Sequence, residues 1–81
     1  MVKVQMVKAT KETNLFNAGQ KLWVVGRAGT CDLQVCGRHR SKNRYITGWI
    51  HDGQYSPPVE FEVEDKFAKR HRLMTFNEVQ S

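Results

Sequence analysis

Cys31-Asp32-Leu33-Gln34-Val35-Cys36-Gly37-Arg38-His39 is followed by the polar tip Arg40-Ser41-Lys42-Asn43 and then by Arg44-Tyr45-Ile46-Thr47-Gly48-Trp49-Ile50-His51. Two β-rich runs joined by a short polar tip predict a hairpin. Pairing His39 with Arg44 sets Leu33 opposite Ile50, Val35 opposite Gly48 and Gly37 opposite Ile46. One face then collects Leu33, Val35, Ile46 and Ile50. A slip of one residue would turn these groups to water, so this register is the expected one. The other face carries Gln34, Cys36, Arg38 and Arg40 from one strand and Tyr45, Thr47 and Trp49 from the next. Arg38 faces Tyr45, and Gln34 faces Trp49.

Toward the N-terminus, Lys21–Val25 predicts a strand, announced by Phe16 and the Asn17-Ala18-Gly19 turn and followed by the loop Gly26-Arg27-Ala28-Gly29. Val2, Val4 and Met6 alternate with Lys3 and Gln5, which predicts a first strand over Val2–Val7. The polar stretch Lys8–Asn14 breaks that pattern. Toward the C-terminus, His51-Asp52-Gly53 ends the hairpin. Tyr55-Ser56-Pro57-Pro58 is an irregular connection, because proline gives a ladder no N–H. In Val59–Glu64, Val59, Phe61 and Val63 share one face and the glutamates the other. Asp65 is expected to cap a helical turn through Lys66–Arg70. Leu73–Phe76 is expected to return as a last strand.

Five or six short strands predict a mainly β fold: a small antiparallel barrel or a strongly twisted sheet. The 81 residues suit one domain, 1–81. Within it we expect an N-terminal strand and polar segment over 1–15, a barrel-like core over 16–76 and a tail over 77–81. The run Phe16-Asn17-Ala18-Gly19-Gln20-Lys21-Leu22-Trp23-Val24, with the loop and hairpin after it, resembles the opening of a Src-homology-type small barrel. KOW and Tudor modules share that layout. The likeness lies in the order of elements over 16–76, without the glycine spacing of a KOW motif or a traceable Tudor aromatic cage. It implies a fold and no particular activity.

Net charge is +5 and the isoelectric point about 9.6, which favours anionic partners. The charge is unevenly spread: +4 over residues 1–30 (five basic, one acidic), +2 over 31–52 (four and two), −4 over 53–65 (four acidic) and +3 over 66–81 (four and one). The candidate binding residues are Arg38, Arg40, Lys42, Arg44, Tyr45 and Trp49 on the hairpin, with Lys66, Lys69, Arg70 and Arg72 beyond it. Aromatics interleaved with guanidinium groups can stack bases and neutralise phosphates, and Tyr, Trp and Arg also dominate protein hot spots. The bland reading covers Tyr45 and Trp49 with the N-terminal strand as a second core layer. If the Val59–Glu64 strand neighbours Arg44–His51, its glutamates would offset the arginines and favour a protein partner.

Other chemistry finds little support. Cys31 and Cys36 lie five apart in one expected strand, on opposite faces and roughly 16 Å apart, so two free thiols are expected. With His39 and His51 they make the only conceivable zinc set, and it lacks a Cys-x-x-Cys knuckle. No base and orienting group stand beside a nucleophile, and no glycine-rich loop opens a helix. The expectation is a non-enzymatic domain with no cofactor, no metal and no membrane segment, located in the cytoplasm. It would act as a binding module or small regulator or inhibitor on a protein or a protein–nucleic acid complex. Direct RNA or DNA binding by the basic surface is the competing expectation.

Overall fold

The segments with period-two patterning become strands β1 (Val2–Lys8), β2 (Lys21–Ala28), β3 (Asp32–Arg38), β4 (Tyr45–Ile50) and β5 (Val59–Val63), and the charged segment after them becomes helix α1 (Asp65–His71). They are seen in a computed structural model, which describes residues 1–75. Every ladder is antiparallel and the sheet order is β4-β3-β2-β1-β5. The fold is therefore mainly β, as expected, but the sheet is open. The barrel does not close, because β4 and β5 end up at opposite edges and α1 packs against the face between them. The likeness to Src-homology-type, KOW and Tudor barrels thus reduces to a small antiparallel sheet.

The hairpin adopts the register expected from its apolar residues. Leu33 pairs with Ile50, Val35 with Gly48, Gly37 with Ile46 and Arg38 with Tyr45, and the His39 N–H donates to the Arg44 carbonyl at 2.9 Å. Leu33, Val35 and Ile50 are buried on one face with Val7, Leu22 and Val24. The loop over residues 10–20 folds back across that face and inserts Phe16, which is 1% exposed. Gly37 and Gly48 make the trough that receives it. A Cβ at Gly37 would lie 2.5 Å from Leu22 Cδ2 and 3.1 Å from Phe16, and one at Gly48 would lie 2.5 Å from Leu15 Cδ1. Here the missing side chains make room for close packing.

The loop is then stapled to the hairpin tip by Arg40. Its N–H donates to the Leu15 carbonyl at 2.8 Å, its guanidinium to the Thr13 carbonyl at 2.9 Å, and it pairs with Glu12 at 2.7 Å.

The opposite face buries Val4, Met6, Cys36 and Val63. Phe67 of α1 packs edge-on against Trp23 and Tyr45, each 5.8 Å away between ring centres. Tyr45 is therefore flanked by α1 and not covered by the N-terminal strand. Asp65 does not cap α1. Glu64, in extended geometry (φ −66°, ψ 146°), holds the N-cap position without a side-chain bond. Asp65 is the first helical residue, and its carboxylate meets the N-terminal ammonium at 3.1 Å. Arg72 ends the helix in the left-handed region at φ 55°.

β1 and β2 pair over only three positions, Met6–Lys8 with Lys21–Trp23. Beyond them β2 bulges between Val24 and Gly26. The gap between the two strands takes the chain after α1: the Met74 N–H donates to the Val24 carbonyl at 3.2 Å, and Thr75 bridges Val4. These two contacts are what the described residues show of the expected last strand, Leu73–Phe76. Phe76 and the expected tail over 77–81 lie outside the described residues.

His71 stacks on Tyr45 and Phe67, each 4.7 Å away. Burial, and then the Arg70 charge, push its imidazole below the ordinary value. The unfolded chain therefore takes up this proton first as pH falls. Stability should drop as pH passes below about 6.5, and His71→Gln should flatten that part of the profile. Urea midpoints of both proteins at about pH 7.5 and about pH 5.5 measure the difference.

Candidate functional site

An open groove of about 790 Å³ lies between the 17–20 turn and the hairpin tip. The turn is set by Gly19 at φ 81° and by the Asn17 N–H donating to Gln20 Oε1 at 3.0 Å. Gln20 Nε2 in turn donates to the Arg38 carbonyl, fixing the turn against β3. Trp23 and Tyr45 contribute aromatic surface, and Lys21, Arg38, Arg40, Lys42 and His39 contribute cationic or titratable groups. Among the described residues no Asp or Glu lines this groove.

These cations are not equivalent. Arg40 is committed to Glu12 and Thr13, so it shapes the rim. The Arg38 guanidinium donates to the neutral Asn43 Oδ1. The Lys21 ammonium stands 5.1 Å from the centre of the Phe61 ring. Among the described residues, none of Lys21, Arg38 or Lys42 meets a carboxylate within ion-pair distance.

A smaller cleft of about 290 Å³ adjoins the groove at Tyr45 and is lined by Cys36, Ile46, Thr47, Arg70, His71 and Arg72. Among the described residues it too lacks an acidic group. Tyr45, 45% exposed, lines both depressions.

Of the ten residues singled out in the sequence, Arg38, Arg40, Lys42 and Tyr45 come together in the groove, and Arg70 and Arg72 join Tyr45 in the cleft. Trp49 is 48% exposed on β4 but lines neither. Arg44, Lys66 and Lys69 are exposed and stand outside both. Sequence reading missed Lys21 and Trp23. Their signal was present: both alternate with the core residues Leu22 and Val24, so both face the side of the sheet that carries Arg38 and Tyr45.

Comparison of the chain with protein-family models, curated proteins and solved structures returns no match.

Glu60, Glu62 and Glu64 do not line the groove, but Glu62 and Glu64 share a neighbouring depression of about 430 Å³ with Trp23, Tyr45 and Phe67. β5 pairs with β1, which puts Glu60 opposite Gln5 and Glu62 opposite Lys3, and Lys3 meets Glu60 at 3.6 Å. β5 is thus three strands removed from β4. Both thiols are free, Cys31 exposed and Cys36 buried, and burial raises the Cys36 pKa. Among the described residues no three His, Cys, Asp or Glu side chains are grouped to hold a metal ion. No helix there is long and apolar enough to cross a membrane.

Proposed function

We propose that this domain is a non-enzymatic binding module that holds a nucleic-acid strand, free or presented within a nucleoprotein complex, in the groove between the 17–20 turn and the hairpin tip. One observation carries the reading: among the described residues, three cations without carboxylate partners, Lys21, Arg38 and Lys42, line a groove with Trp23 and Tyr45 that no acidic side chain lines. Unneutralised cations attract phosphates and release their counterions. Aromatic faces beside them stack on bases of any sequence. The groove is open and shallow, which suits an extended strand better than an enclosed small molecule. The adjoining cleft at Arg70 and Arg72 extends the same positive surface past Tyr45. Arg40 belongs to the scaffold, holding the tip where the other cations can act.

Titration of the Trp49→Phe protein with a short single-stranded oligonucleotide tests this. Only Trp23 then reports, and its emission should be quenched as the strand binds. Affinity should fall steeply with salt. Absence of affinity at low salt, or affinity indifferent to salt, would refute the proposal.

A further inference from the structure

The outer edge of β4 has properties that the groove does not use. In the β3–β4 ladder, the bonded pair His39–Arg44 fixes the alternation. Residues 46, 48 and 50 aim their backbone groups at β3, and Tyr45, Thr47 and Trp49 aim theirs outward. β4 is the last strand of its side of the sheet, so among the described residues these outward N–H and C=O groups have no strand beside them. The edge lacks a proline, a bulge and an inward-pointing charge, the devices by which edge strands avoid pairing. It also carries Trp49, whose large ring is half exposed and meets no other aromatic ring among the described residues.

We infer that β4 pairs with β4 of a second copy of this chain, antiparallel, about a two-fold axis at Thr47. The sequence of the edge is complementary to itself in that register. Thr47 meets Thr47 of the second copy, and Tyr45 meets Trp49 of the second copy at both ends, an aromatic cross-strand pair. On the other face Ile46 comes opposite Gly48 of the second copy, beside Leu15, which already sits on Gly48. Pairing joins two five-stranded sheets into one of ten strands and removes two open edges. It also brings Trp49 of the second copy next to Tyr45, at the end of the groove. The net charge of +5 per chain opposes association, so salt should strengthen the pairing, the reverse of its effect on phosphate binding.

Residue 47 meets its own counterpart only in this register, which makes a charge swap decisive. By light scattering without nucleic acid, the wild-type mass should rise with concentration from 9.4 kDa toward about twice that value. Thr47→Lys and Thr47→Glu should each remain at the monomer mass, and an equimolar mixture of the two should associate. Amide exchange of the wild type gives an independent reading: the Tyr45, Thr47 and Trp49 amides should gain protection as concentration rises. The inference is overturned if wild type stays monomeric throughout, if Thr47→Lys associates as wild type does, if the mixture behaves like its components, or if those amides exchange equally fast at all concentrations.

Discussion

Replacing Lys21, Arg38 and Lys42 together by glutamine should weaken binding of a single-stranded oligonucleotide by on the order of 100-fold at about 0.1 M salt. The magnitude follows from counterion release. Each phosphate neutralised on a single strand contributes about 0.7 to the slope of log affinity against log salt. Losing three such contacts removes about 2 from the slope, and between about 1 M and about 0.1 M salt that is a hundredfold. The measurement is the full salt dependence, because a general loss of stability would lower affinity without changing the slope. Lys66→Gln with Lys69→Gln is the matched control: these cations stand outside the groove and cleft and should barely alter the slope. Arg40→Gln should act differently again, lowering stability through its lost bonds to Glu12 and Thr13. A triple variant with an unchanged slope would remove the groove as the phosphate site.

Phe16→Ala should cost about 3–5 kcal/mol of folding stability, the range for emptying a buried aromatic site. A domain of this size has only about 4–12 kcal/mol in total, so the variant should sit near the edge of unfolding. The ring is 1% exposed and fills the trough over Gly37 and Gly48. Urea denaturation measures the loss, with Trp49→Ala as comparison: that side chain is half exposed and should change stability by less than about 0.5 kcal/mol. Gly37→Ala probes the same joint from the other side, since its methyl would lie 2.5 Å from Leu22 Cδ2. Overpacking of that kind typically costs about 1–3 kcal/mol. If Phe16→Ala unfolds at the wild-type midpoint, the loop over residues 10–20 does not close the core as described.

The hairpin could be read from sequence because four branched apolar residues and a short tip leave one register that buries them all. Its six pairs and the outward aim of Tyr45 and Trp49 follow from that alone. The position of β5 could not be read in this way. Alternation of Val59, Phe61 and Val63 with glutamates says which face is buried but not which strand lies alongside. Sequence alone allows the glutamates to lie beside the arginines of the hairpin, whereas their strand pairs with β1. The role of Phe16 was hidden for a related reason. It follows a polar stretch, and the trough that receives it exists only after β2, β3 and β4 have aligned Leu22, Gly37 and Gly48. Arg40 looked like a ligand-binding residue because its partners, Glu12 and Thr13, are distant in sequence. Trp23 was visible in the pattern of β2, but its neighbours became known only with the β2–β3 register.

The brief ladder between β1 and β2 gives the molecule a seam. On one side lie β2, β3 and β4 with the cationic groove, and on the other β1 and β5. Met74 and Thr75 act as the clasp, holding Val24 and Val4 from either side. The shared core and the Trp23–Phe61 contact still bridge the seam, so opening should begin at the clasp, and deuterium should enter the Met74 amide well before it reaches the interior of β3.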